Sequence, residues 1–419
     1  MSNRTNLFMA VMIMATRFVS AESGPGTYVL ASVNDNVHRD EFKVEGVAQT
    51  AAGAVSWSVK RLTLHGGKQE GVDLIVIDNG AMQIRLIPTR GLNVLDVKLG
   101  EMRLGWDSPV KEVVHPQHIR LDSRGGLGWL EGFNEWMVRC GLEYAGHPGK
   151  DEFINNTGDP STMDLTLHGK IGNIPASEVQ VIIDPPPSNR IRVRGIVHER
   201  AFYGPKLELT AELSTVPGTN TIRVEDSIKN NGAYDQEFQI IYHTNFGAPL
   251  LQKDAKLIAP VKHLAPMNAH AAEGIDAFAT YAGPTKGFVE QVYLLETYAD
   301  ANKRTEILLE NAAADRGVSM SYSTEQLPYL TIWKNTAAVE DGYVTGLEPG
   351  TGYPFNRRIE RQFGRVPKLA PGQSRSFVID VGLHVGKESV AAEAAVIEKI
   401  SGGKATQVDK QPPTPPVTK

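Results

Sequence analysis

From Gly71 onward the chain breaks into short runs of Val, Ile, Leu and Thr, separated by Gly, Pro, Asn or Asp. Ten runs stand out: 72–77, 82–87, 179–183, 191–198, 207–213, 221–228, 238–243, 291–298, 306–309 and 377–384. In 192–198 and 221–228 apolar and polar residues exchange with a period near two, the pattern of a strand with one buried and one wetter face. So many short strands with no long amphipathic helix between them predict an all-β fold of stacked antiparallel sheets. No βαβ rhythm or fixed-period repeat is visible. The one strong helix candidate is 389–400, opened by Ser389 as a cap and closed near Gly402. The expected organisation is a single domain over 71–400. Residues 22–70 form an extension or its first strands, and 401–419 is a disordered tail too rich in Pro, Thr and Lys to bury much apolar surface.

Composition narrows the partners. Of 419 residues, 43 are basic and 48 acidic, a formal charge of −5, and neither sign gathers into a block that would track a phosphate backbone. Nucleic acid is therefore not an expected partner. The 40 Gly and 25 Pro agree with a turn-rich chain. Residues 1–21 differ from the rest: Arg4, an apolar run over 7–15, then Val19-Ser20-Ala21 before Glu22. This is the anatomy of a secretory signal peptide, too short to span a bilayer, so the expected location is the periplasm or the exterior, or the cytoplasm if the segment is not cleaved. The single cysteine, Cys140, excludes an intramolecular disulfide and reads as a packed thiol.

Three polar clusters end apolar runs: Leu167-His168-Gly169, Tyr242-His243-Thr244-Asn245-Phe246 and Leu347-Glu348-Pro349. Two imidazoles and a carboxylate are what proton shuttling on a neutral molecule needs. Each also has a plain structural explanation: a turn histidine, a half-buried core histidine and a solvated loop carboxylate. In a strand, Tyr242 and His243 point to opposite faces. The block 124–136 offers Trp129, Phe133 and Trp136 as flat apolar surfaces, with Arg124, Asn134 and Glu135 as hydrogen-bonding groups. Arg90, Asn173 and Lys334, at or near strand ends, complete the expected substrate-binding set.

In the same order, Thr166-Leu167-His168-Gly169 with Gly172, then His243-Thr244-Asn245-Phe246, then Gly346-Leu347-Glu348-Pro349 resemble the three signature regions of the aldose 1-epimerase (galactose mutarotase) superfamily. Leu104-Gly105-Trp106-Asp107-Ser108 resembles an earlier segment of that family, and the likeness spans roughly residues 71–384. The chain departs from the better-known members at Pro349 and in the block 124–144, which looks like the divergent, uncharacterised epimerase-like branch. The resemblance implies a galactose mutarotase-like β-supersandwich whose concave sheet face receives one sugar. It also implies Glu348 as general base at the anomeric hydroxyl, His243 as general acid at the ring oxygen and His168 as the residue that positions the ring. No cofactor is implied. Two histidines and a glutamate could also hold a divalent ion, but His168, His243 and Glu348 lie 75 and 105 residues apart, without the close spacing that signals a metal site. The rival expectations are a non-catalytic carbohydrate-binding protein and a sugar epimerase or isomerase acting at another carbon.

Overall fold

Strand alternation sends successive side chains to opposite faces of a sheet, and this chain puts both faces to use. The computed structural model describes residues 22–416, and all ten runs are strands, with ends shifted by at most three residues. The fold is all-β: a 14-stranded and a 10-stranded sheet, with two small two-stranded ribbons beside them. Pairing is antiparallel except at two places, Glu22–Ser23 with Phe42–Thr50 and Val261–Pro266 with Gln407–Val408.

One large core lies between the sheets. It joins Val59, Ile75, Leu86 and Ile332 of the larger sheet to Val193, Leu209, Val224 and Ile379 of the smaller. Each such side chain, fully withdrawn from water, contributes about 1.5–3 kcal/mol before chain entropy is counted. Five strands of the larger sheet carry the region of interest: β1 (Met137–Leu142), β2 (Gln239–Phe246), β3 (Gln291–Thr297), β4 (Tyr329–Asn335) and β5 (Val344–Gly350), adjacent in the order β1-β2-β5-β4-β3. On β2, Ile240, Tyr242 and Phe246 enter the core between the sheets. Ile241 faces the other way, into a second cluster with Trp129, Phe133, Val138 and Leu167. A buried ion pair ties the sheets together, with Arg139 of β1 donating from Nε and Nη2 to both carboxylate oxygens of Asp226 in Thr221–Asn230.

Residues 22–64 take the second of their two expected forms and supply strands to both sheets. Two expectations change. The helix runs Lys387–Ser401 with Gly386 at its N-cap position; Ser389 lies inside it and bonds His384 Nδ1. The tail is not wholly unstructured: Gln407–Val408 adds an edge strand, and Thr406 Oγ1 donates to the Val261 carbonyl. Backbone hydrogen bonds to an open sheet edge supply what the polar composition lacks. The segment 1–21, expected to be a signal peptide, lies outside the described residues. Among the described residues no helix is long and apolar enough to cross a membrane.

Candidate active site

The register that pairs Thr244 with Leu347 and Ile241 with Gly350 puts His243 of β2 directly across from Glu348 of β5. Directly opposed side chains on one face of a sheet meet. His243 Nε2 and Glu348 Oε1 are 3.1 Å apart, and both side chains are almost wholly buried, at 5% and 2% exposure. Asn245, two residues along β2 and so on the same face, holds the other ring nitrogen: His243 Nδ1 lies 2.8 Å from its Oδ1. The Asn245 amide NH2 donates to the carbonyls of Glu135 and His243, which leaves Oδ1 as the acceptor and fixes Nδ1 of His243 as N–H.

His168 reaches the same place from a turn. Its φ of 59° is left-handed, uncommon for a residue with a Cβ, and Gly169 follows at φ 70°. A Cβ on Gly169 would collide with the carbonyl oxygens of Tyr144 and Gly141, so only glycine lets the turn press this close to β1. His168 Nδ1 donates to the Ala145 carbonyl at 3.0 Å, which leaves Nε2 as an acceptor. The two imidazoles stand edge to face, 5.1 Å between centroids, inside a ring formed by Trp129, Phe133 and Trp333.

These groups line a cavity of about 450 Å³, within the usual range for small-molecule sites. Its walls are mostly apolar, from Leu127, Trp129, Leu130, Phe133, Val292 and Trp333, and its polar groups are His147, His168, His243, Glu290, Thr331 and Glu348. Other hollows of about 470 and 740 Å³ lie on the outer face of the smaller sheet and beside the C-terminal helix, and neither gathers these three residues.

The floor depends on a glycine. A Cβ on Gly346 would sit 2.5 Å from Glu348 Oε1 and 3.3 Å from His243 Cε1. Gly346→Ala should therefore push the carboxyl out of line with the imidazole and lower activity roughly 100-fold, while Tm shifts by only a few degrees. Steady-state kinetics beside thermal unfolding checks this, and an unchanged rate would remove the need for that alignment.

Burial sets the protonation states. It pushes the Glu348 carboxyl well above the usual carboxylate range, with the Glu290 carboxylate adding to the effect. Burial also pushes the His243 imidazole well below its usual range; His168 adds to this and the Asn245 bond opposes it. Both directions favour the neutral forms, a carboxylic acid facing the bare Nε2. Burial likewise takes His168 down to about 4, against the bond to Ala145. Between about 4 and the ordinary 6.5, the unfolded chain binds a proton at residue 168 that the folded chain does not. Stability from His168 is therefore complete above pH 6.5 and lost as pH falls toward 4, by up to roughly 3 kcal/mol. Urea unfolding at pH 7 and 4.5 should show a smaller pH-dependent loss for His168→Gln than for the wild type; equal losses would contradict this.

A family model described as Domain of unknown function (DUF4432) matches residues 69–383. The chain is 40% identical to a candidate aldose 1-epimerase from Klebsiella pneumoniae subsp. pneumoniae, whose crystal structure matches with a TM-score of 0.85 over 94% of this chain and 100% of that one. The chain belongs to the DUF4432 family and to the galactose mutarotase-like superfamily. A galactose mutarotase-like protein from Clostridium acetobutylicum shares the fold at 15% identity, with a TM-score of 0.53 over 78% of this chain and 98% of that one. No curated protein matches.

In this mutarotase-like chain the structure brings His168, His243 and Glu348 together, and it does not bring the expected substrate-binding residues to the cavity. Arg90 and Glu135 are fully buried and neutralise each other, with Nη2 to Oε1 at 2.8 Å; Arg90 also holds the Gly132 carbonyl, so the pair supports the Trp129–Phe133 loop. The Asn134 amide donates to the carbonyls of Val110 and Glu112. Arg124 is exposed at the surface, and Asn173 ends the turn Ile171–Asn173; neither lines the cavity. Lys334 follows Trp333 and so faces the other side of the sheet, where Nζ donates to the Ala277 and Thr280 carbonyls and burial lowers it to about 8. Trp129 and Phe133 do line the cavity, whereas Trp136 enters the core between the sheets. Sequence inspection missed His147, Glu290 and Thr331. The first two lie in connections without a motif, although Glu290 Oε2 accepts from Trp333 Nε1 at 2.7 Å. Thr331 could have been found, because it is two residues from Trp333 on β4 and shares its face.

Proposed function

We propose that the protein interconverts the α and β anomers of an aldose by general acid–base ring opening. The observation that supports this best is the His243–Glu348 pair, two proton-carrying groups 3.1 Å apart and almost wholly buried on the floor of an aromatic-walled cavity. Trp129, Phe133 and Trp333 can pack against the C–H face of a sugar ring. As sugar hydroxyls enter and hydrogen-bond the carboxylate, the shared proton moves to His243 Nε2, leaving Glu348 as base and the imidazolium as acid. Glu348 then takes the proton of the anomeric hydroxyl, the C1=O double bond forms as the bond from C1 to the ring oxygen breaks, and Nε2–H protonates the ring oxygen. The result is an open-chain aldehyde beside a carboxylic acid and a neutral imidazole, the protonation state that burial favours in the free site. Rotation about C1–C2 and reversal of the transfers deliver the other anomer. His168, held neutral, accepts a hydroxyl at Nε2 and orients the ring. Positioning and proton transfer together supply the rate.

Anomer exchange followed by NMR in D2O across a panel of aldoses tests the reading. Acceleration without deuterium entering any C–H position is the expected result. Deuterium at a carbon would mean deprotonation of that carbon and epimerisation there. Saturable binding without acceleration would mean a binding protein.

A further inference from the structure

Three adjacent strands each place one polar side chain in a single row on the cavity floor. Glu348 of β5 is in the middle, His243 of β2 on one side, and Thr331 of β4 is paired directly with Glu348 on the other. The mechanism above uses the first two and leaves Thr331 idle. Its side chain is 1% exposed and lines the cavity, yet Oγ1 finds no hydrogen-bond partner among the described residues. A buried hydroxyl without a partner is costly and unusual, and a ligand in the cavity would satisfy it. The β-branched side chain has little χ1 freedom, so the strand holds the hydroxyl in position before anything binds.

The order of the row matches the order of oxygens along one edge of a cyclic aldose. The ring oxygen and the anomeric hydroxyl share carbon 1, and the 2-hydroxyl is carried by the next carbon on the side away from the ring oxygen. With His243 at the ring oxygen and Glu348 at the anomeric hydroxyl, the third position falls to the 2-hydroxyl. We propose that Thr331 Oγ1 hydrogen-bonds the 2-hydroxyl of the bound sugar, so that the site selects 2-hydroxy aldoses over their 2-deoxy counterparts. This rests on the anomer-exchange reading, which sets the direction in which the sugar lies.

The test is calorimetric binding of three matched pairs, D-glucose and 2-deoxy-D-glucose, D-galactose and 2-deoxy-D-galactose, D-ribose and 2-deoxy-D-ribose, to the wild type, Thr331→Val and Thr331→Ser. The wild type should prefer the 2-hydroxy member of a pair it binds by about tenfold, the worth of one neutral hydrogen bond. Thr331→Ser, which keeps the hydroxyl, should retain the preference, and Thr331→Val should bring the ratio close to one. If the valine variant does not fold, the wild-type ratio and its survival in the serine variant decide the matter. A wild-type ratio near one, a tenfold ratio that persists in Thr331→Val, or no binding in any pair would overturn the assignment. Anomer exchange recorded on the same samples separates the two claims. A hydroxyl-dependent ratio without exchange would remove the catalytic reading and leave Thr331 as the 2-hydroxyl contact, and exchange without the ratio would do the reverse.

Discussion

Glu348→Gln is expected to slow anomer exchange about 1,000-fold, within the range that a positioned acid–base group supplies. Gln keeps the shape of the carboxyl and can still donate to His243 Nε2, so the fold and sugar affinity should be nearly unchanged. What it cannot do is take the anomeric proton. His243→Ala should cost a comparable factor, because the neutral imidazole that must accept the shared proton is gone. The double variant should lose little more than either single one, since the two residues act as a unit. Exchange rates with circular dichroism as the fold control measure all three. Substantial activity in Glu348→Gln would remove the carboxyl from the chemistry.

The largest expected effect on stability lies behind the site, at the ion pair between the sheets. Arg139→Leu should destabilise the protein by about 3–5 kcal/mol, the usual cost of leaving one member of a buried charge pair alone. Arg139 donates to both oxygens of Asp226, and Tyr242 donates to one of them at 2.9 Å. Arg139 Nη1 also holds the Leu92 carbonyl, so its removal orphans that group as well. Tyr242 precedes His243, which makes this network the anchor on the far side of the strand that carries the acid–base pair. Arg139→Leu combined with Asp226→Leu should recover much of the loss by removing the uncompensated charge. Urea titration of the wild type and the two variants checks this; a loss below about 1 kcal/mol for Arg139→Leu would mean that water reaches Asp226 freely.

Much of this architecture is legible in the sequence because one-dimensional patterns encode it. Apolar runs bounded by turn residues mark the ten strands, with period-two alternation in 192–198 and 221–228, and strand geometry also foretells that Tyr242 and His243 separate to opposite faces. Glu348 was harder to read. Beside Pro349 and Gly350, composition alone favours a solvated loop residue, and only pairing with β2 and β4 makes that segment an internal strand and buries the carboxyl. Four of the six substrate-binding expectations share one physical reason for lying off the cavity. Arg90, Asn134, Glu135 and Lys334 are polar residues whose groups are consumed by the protein itself, and burial with internal pairing cannot be told from ligand binding by residue type alone. His147 and Glu290 reach the cavity from connections far apart in the chain, a long-range placement that no local pattern records. The edge strand at 407–408 was missed because its order comes from the open edge it pairs with.

The central claim is that the His243–Glu348 couple moves one proton to open and close an aldose ring. Magnetisation-transfer NMR between α and β anomers, with the wild type and Glu348→Gln at matched concentration, tests it most directly. The account predicts saturable acceleration by the wild type for at least one aldose and a rate near the uncatalysed value for the variant. Equal rates with the two proteins, or no acceleration on any aldose that the wild type binds, would contradict it.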